Sequence, residues 1–180
     1  MSTAIADPRI AAVAVTGSVR AGSAIAAQAG AALKKCVLEL GGSDPFIVLA
    51  DADLDEAVKA ATVGRYQNSG QICVAAKRII VFFSEDPAFT EKFVAAVKAL
   101  KVGDPLVEAH YIGPMARYDL RDELHAQVQK TVSEGATLLL GGEKLAGEGN
   151  YYAPTILANV TPSMTSFKEE LFGPVASLIV

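Results

Sequence analysis

One cysteine, Cys73, stands in the run Gln67-Asn68-Ser69-Gly70-Gln71-Ile72-Cys73-Val74-Ala75-Ala76-Lys77-Arg78. The run reads as a glycine-containing turn between a helical pattern and an apolar β-type stretch, which leaves little side-chain bulk around the sulfur. A small electrophile can reach it there, and backbone N–H groups of the turn can face a developing negative charge. Lys77 and Arg78 follow at once, and two adjacent cations favour a thiolate over a thiol. The chemistry on offer is nucleophilic: sulfur attacks an electrophilic carbon and holds it as a covalent intermediate. A buried free cysteine is the competing reading, and position alone does not separate the two.

Two further stretches upstream carry chemistry. Cys36-Val37-Leu38-Glu39-Leu40 reads as a buried strand closed by Gly41-Gly42. A carboxylate among apolar neighbours is costly unless paired or protonated, and a general base needs such a setting. A strand-end glutamate reaching solvent is the ordinary alternative. Cys36 reads as a small apolar filler. Before it, the apolar stretch 11–15 meets Thr16-Gly17-Ser18, and an alanine-rich helix is expected from Ser23 to Lys35. This strand–turn–helix unit puts Gly17, Ser18 and free backbone N–H groups near a helix start, where a dinucleotide pyrophosphate would be stabilised. An ordinary strand-to-helix turn is the alternative.

The pattern N-x-G-Q-x-C ending at Cys73 resembles the active-site signature of the aldehyde dehydrogenase superfamily. Leu38-Glu39-Leu40-Gly41-Gly42 resembles the general-base motif of that family, and Thr16-Gly17-Ser18 its cofactor loop. Glu169-Glu170-Leu171-Phe172-Gly173-Pro174-Val175 resembles its late E-E-x-F-G-P motif. The four stand in the family's order, and the similarity covers nearly the whole chain. The R-Y-Q-N-x-G-Q before the cysteine is similar to the bacterial succinate-semialdehyde dehydrogenase branch.

The resemblance implies roles. Cys73 would attack an aldehyde, and Glu39 would activate the water that hydrolyses the resulting thioester. Gly17, Ser18, Leu40, Gly41, Glu170 and Phe172 would contact NAD or NADP, with Glu170 on the nicotinamide ribose and Phe172 beside the nicotinamide. Glu39 points to the hydrolytic branch, since CoA-acylating relatives typically lack this base. Ala75 stands where some relatives carry a second cysteine. Gln67 stands where many of the succinate-semialdehyde branch carry an arginine for the substrate carboxylate, which leaves succinate semialdehyde as the expected but contested substrate. Arg65, two residues away on a helix, is expected to point elsewhere. Family subunits are more than twice as long, and their oxyanion asparagine lies upstream of residue 1. The chain therefore reads as a fragment that does not oxidise aldehydes by itself.

Composition bounds the rest. Of 180 residues, 51% are hydrophobic, which argues for a folded core and against disorder. The net charge of −4 offers no basic surface for nucleic acid or membrane. Two cysteines are too few for a disulfide framework and fit a reducing cytoplasm. No signal peptide or membrane-spanning run is visible. His110 and His125 stand apart from any ligand cluster and read as solvent or helix-surface residues, so no metal site is expected.

The elements alternate. Residues 46–50 read as a buried strand. A helix begins at Asp53 with Glu56 in capping-box spacing, and Leu54, Ala57, Val58 and Ala61 form its inner face. A strand is expected over 78–83. Asp86-Pro87 opens a helix whose core face is Phe89, Phe93, Val94, Val97 and Leu100. Residues 103–114 are irregular, and 117–133 helical. A strand over 137–140 follows, then an extended run 151–160 in which Pro154 suggests an edge or a bulge. A helical turn near 165–170 leads into a last apolar run, 176–180, which is expected to leave an unpaired edge and to promote self-association. The sum is an α/β fold with a largely parallel sheet flanked by helices. Residues 1–41 would be the tail of a cofactor-binding domain and 42–180 most of a catalytic domain. Two other functions remain open: a cysteine-dependent acyl-transferase or thioester hydrolase, and a non-catalytic assembly domain.

Overall fold

Short strands separated by amphipathic helices give two sheets, each inside its own unit. The computed structural model describes residues 2–82 and 86–180. The chain divides into one unit ending at Gly42 and another spanning Ser43–Val180.

In the first unit, helix α1 (Ser2–Ala6) is followed by β1 (Ala12–Gly17), α2 (Val19–Ala31) and β2 (Lys35–Leu40). The strands pair in parallel, with Thr16 opposite Glu39. Helix α2 starts at Val19 rather than Ser23, because the Ser18 hydroxyl caps it by accepting the Ala21 N–H at 3.2 Å. It ends before Lys34-Lys35, where Leu33 turns left-handed (φ 54°). Ile5, Ile25 and Ala29 form a small core onto which Val13, Val15 and Cys36 pack, so Cys36 is the filler its setting suggested. Strand β2 is not buried as expected. Cys36 turns toward the helices, while Val37 and Glu39 alternate to the other face and are exposed. A two-stranded sheet with helices on one face buries only that face.

The second unit is built on a five-stranded sheet. Its elements are β3 (Asp44–Val48), α3 (Leu54–Tyr66), β4 (Ala76–Val81), α4 (Asp86–Lys98), α5 (Tyr118–Ser133), β5 (Thr137–Leu140), β6 (Thr155–Ala158), α6 (Thr165–Lys168) and β7 (Val175–Ile179). The strand order is β3-β4-β7-β6-β5. All neighbours are parallel except β5 and β6. The sheet is therefore mixed, with its one antiparallel pairing at an edge, and both faces are covered. Ile79, Ile156, Ala176 and Leu178 face a core with Val58 and Ala61 of α3 and Phe89, Phe93 and Val97 of α4. Leu157 and Val175 face the opposite core with Leu124 and Val128 of α5 and Met164. Covering both faces explains why β6 and β7 read as continuous apolar runs.

The helix faces fall as expected. Asp53 caps α3 through its carboxylate, which accepts the Asp55 and Glu56 N–H groups. Glu56 instead pairs with Lys59 at 3.6 Å. Helix α4 begins at Asp86, one residue before Pro87, where the first helical position was expected; the Asp86 side chain and Phe83 lie outside the described residues.

Four strand and histidine readings are corrected. Strand β3 is an edge strand with Ile47 58% exposed, not a buried one. Strand β6 lies inside the sheet, with Pro154 just before its first residue, where no ladder N–H is required. Strand β7 is the central strand, paired with β4 and β6, so it leaves no open edge. His125 is half-buried on α5, with Nδ1 3.0 Å from the Tyr152 hydroxyl.

Candidate active site

Helix α3 delivers the chain to Cys73. Gln67 ends the helix by adopting ψ 140°, although its N–H still reaches the Val63 carbonyl. Asn68, Ser69 and Gly70 then take consecutive left-handed conformations, with φ 53°, 55° and 71°. Two of these are not glycine, and each costs of order 1 kcal/mol. Such strain persists only where the surroundings over-determine it, and here they do. The Ser69 hydroxyl donates to the Gly113 carbonyl at 2.9 Å. Gln71 Oε1 accepts the Ala116 N–H at 2.8 Å. Asn68 Nδ2 donates to the Gln71 carbonyl at 3.2 Å, and Gln71 Nε2 donates to the Asn68 carbonyl at 3.3 Å. The polar residues of the signature thus shape the turn. Cys73 follows, half-buried and free of any disulfide, on a turn closed by the Ala75 N–H on the Ile72 carbonyl at 3.1 Å.

Two buried cations tie this turn to the late motif. Arg65 is fully buried, and its Nη2 donates to the carbonyls of Gly70 and Leu171 at 3.2 and 2.9 Å, and to that of Gly173. Burial pulls its pKa from 12.5 down to about 10, opposed by Tyr66 and Glu170. The approach of the two segments is so close that a Cβ on Gly70 would overlap the Gly173 carbonyl oxygen. Lys77, 1% exposed, places its ammonium 2.7 Å from the Cys73 carbonyl, 3.1 Å from the Ile72 carbonyl and 3.2 Å from Glu170 Oε1.

The cations therefore do not act as expected. Lys77 is committed to two carbonyls and a carboxylate. Arg78 donates from Nε to the Ser43 carbonyl at 2.7 Å and lies over the Phe167 ring at 5.0 Å. Neither interaction is directed at the sulfur. Arg65 is spent on the carbonyls of Gly70, Leu171 and Gly173, and this bridging role had no signal in the sequence. The same holds for the Gly113–Ala116 segment under the turn, and for Tyr66, whose hydroxyl donates to the Thr155 carbonyl at 2.7 Å.

The other named residues fall into two groups. In the second unit, Glu170 keeps a quarter of its side-chain surface exposed while pairing with Lys77, and Phe172 is 37% exposed. A ribose hydroxyl can reach such a part-exposed carboxylate, and the Phe172 ring offers a flat apolar surface, so both fit a nicotinamide riboside. In the first unit, Gly17 ends β1 and Ser18 caps α2, a 13-residue helix whose first N–H groups suit a phosphate. Glu39 is exposed on β2. Leu40 lies against α2, where a Cβ on Gly22 would meet its Cδ2 at 2.5 Å, and Gly41 follows it. Among the described residues, no group of His, Cys, Asp and Glu could hold a metal ion, and no helix is long and apolar enough to cross a membrane.

The sequence profile of the aldehyde dehydrogenase family matches residues 1–180. The chain belongs to this family. It is 71% identical over all 180 residues to the succinate semialdehyde dehydrogenase, NAD(P)+, Sad of Escherichia coli (strain K12), and spans 39% of that protein. It is 54% identical over 172 residues, 96% of the chain, to the NADP+ succinate-semialdehyde dehydrogenase of Mycolicibacterium paratuberculosis, and spans 36% of it. Among solved structures, the succinate-semialdehyde dehydrogenase from Burkholderia pseudomallei superposes with a TM-score of 0.95 at 37% identity, covering 99% of this chain and 37% of that one.

Proposed function

We propose that the protein carrying this sequence is an NAD(P)-dependent aldehyde dehydrogenase that oxidises succinate semialdehyde to succinate through a thioester on Cys73. The observation that carries the reading is the Lys77 ammonium joining the Cys73 turn to Glu170, which puts a nucleophile loop and a cofactor carboxylate on one support. The relatives named succinate semialdehyde dehydrogenase support the substrate. On this reading the unit ending at Gly42 belongs to the cofactor-binding domain, and the unit from Ser43 to the catalytic domain.

The Cys73 sulfur attacks the aldehyde carbon, and the carbonyl oxygen becomes an alkoxide held by the Cys73 N–H. NAD(P)+, when bound, would supply a hydride acceptor. Glu170 would hold it through the ribose hydroxyls with charge-assisted hydrogen bonds, and Phe172 would offer an apolar surface to the nicotinamide. Gly17, Ser18, Leu40 and Gly41 hold the rest of the dinucleotide. Glu39 takes a proton from water, which attacks the thioester carbon and releases the carboxylate and the Cys73 sulfur. The reading assigns the protein to the cytoplasm, a reducing compartment that suits two free cysteines. The protein is also read as a homo-oligomer, which light scattering of an enzyme of full family length tests.

The discriminating experiment is a panel of aldehydes, with NAD+ and NADP+, assayed with an enzyme of full family length carrying this segment. Cofactor reduction fastest with succinate semialdehyde supports the reading. An acyl-transferase or thioester hydrolase would turn over thioesters with no cofactor reduction, and an assembly domain would do neither.

A further inference from the structure

Lys77 sits in the fourth position after Cys73, inside the fold, and the mechanism above assigns it no step. A buried lysine is retained only where its ammonium finds partners. This one donates to the carbonyls of Ile72 and Cys73 at 3.1 and 2.7 Å and forms an ion pair with Glu170 Oε1 at 3.2 Å. Burial lowers its pKa, and Glu170 is the main opposing influence. The geometry has a consequence for the peptide between Ile72 and Cys73. In a trans peptide the C=O and N–H point in opposite directions, and no cis bond is present among the described residues. With the Ile72 carbonyl drawn to Lys77 and to the Ala75 N–H, the Cys73 N–H is turned away from the ammonium. A cation on the carbonyl side of an amide also polarises its N–H and makes it a stronger donor.

We infer that Lys77 is a positioning residue that uses one buried ammonium to aim the Cys73 backbone N–H at the developing alkoxide and to hold Glu170 in place for the cofactor. The inference rests on the reading of Cys73 as nucleophile and Glu170 as cofactor carboxylate. It separates two tasks of Lys77. Hydrogen bonds to the 72 and 73 carbonyls serve the acylation step, and the ion pair serves cofactor affinity. A lysine that merely fills the fold would affect neither rate nor affinity per active site.

The test compares Lys77→Met, Lys77→Gln and Glu170→Gln in an enzyme of full family length. The readouts are the pre-steady-state burst of reduced cofactor, with rate and amplitude measured separately, and NAD(P)+ affinity by equilibrium titration without aldehyde. Lys77→Met should slow the burst about 10²-fold through misplacement of the donor and weaken cofactor binding about tenfold through the displaced charged partner. Lys77→Gln can still donate to the carbonyls, so its burst should recover most of that rate while cofactor affinity stays weak. Glu170→Gln should weaken affinity, and the Lys77→Met/Glu170→Gln pair should bind cofactor no worse than Glu170→Gln alone. Fewer active sites with an unchanged burst rate and affinity per site would show a purely structural role and overturn the inference. If Lys77→Met does not fold, the Lys77→Gln split decides: a burst as slow as a nucleophile-deleted enzyme, or an unchanged affinity, overturns it. Failure of the underlying reading looks different. The unsubstituted enzyme would then show no aldehyde-dependent burst, or Cys73→Ala would retain it, and the inference falls with it.

Discussion

Gly70→Ala should destabilise the 180-residue chain because it attacks the joint between the two motifs. The residue has φ 71°, and an alanine there costs roughly 1–2 kcal/mol in backbone strain. Its new Cβ would also overlap the Gly173 carbonyl oxygen, a backbone atom held by Arg65 and by the Val175 N–H at 2.8 Å. Neither segment can shift without losing these bonds, and such overpacking adds roughly 1–3 kcal/mol. The sum, roughly 2–5 kcal/mol, lowers Tm by about 4–20 °C for a chain of this size. Two alanine substitutions isolate the cause. Gly142 has φ 82°, but the atoms nearest its Cβ would be those of the Leu138 side chain, which is 40% exposed, rather than backbone, so Gly142→Ala carries mainly the strain. Gly30 is helical with nothing near its Cβ position, so Gly30→Ala should stabilise by about 0.5–1 kcal/mol. Thermal unfolding followed by circular dichroism should rank Gly70→Ala lowest, then Gly142→Ala, the unsubstituted chain and Gly30→Ala. A Gly70→Ala midpoint equal to or above that of Gly142→Ala would refute the close approach of the two motifs.

Four further outcomes follow from the site and its surroundings. In an enzyme of full family length, Cys73→Ala should abolish the burst. Glu39→Gln should leave about one equivalent of reduced cofactor per site and then slow turnover by about 10²–10⁴-fold, with an acyl adduct on Cys73 visible by mass spectrometry; unchanged turnover would remove Glu39 from the mechanism. Iodoacetamide should label Cys73 before Cys36, since Cys36 packs on the Ile25 core, and the reverse order by peptide mapping would count against the nucleophile. Glu134 accepts the Thr165 N–H at 2.6 Å and the Thr165 hydroxyl at 2.9 Å, which lowers its pKa below the usual 4.5. Its stabilisation is therefore present above about pH 4.5 and lost as pH falls through the lower folded-state value. Glu134→Gln should lower Tm at pH 7 and flatten the acid limb of a Tm–pH profile; parallel profiles would disprove the linkage.

Much of this protein is written locally. The spacing of Phe89, Phe93 and Val97 marks the buried face of α4, and Asp53 marks the start of α3, because both depend on neighbours within a turn or two. The ordered motifs around Gly17, Glu39, Cys73 and Glu170 pointed to the family for the same reason: each is a short run with its own residue types. Tertiary structure decided what local chemistry leaves open. The last apolar run could have been an edge or a centre; pairing with both β4 and β6 made it the centre, and thereby removed the edge expected there. Pro154 was compatible with an edge, yet β6 lies inside, since the proline precedes the ladder. Lys77 and Arg78 promised charge for the sulfur from sequence proximity alone, but a long side chain goes to whichever acceptors the fold brings near it. Lys77 found Glu170, and Arg65 found Leu171 and Gly173, 106 and 108 residues away. Partners at that distance are set by strand order, which no local pattern encodes.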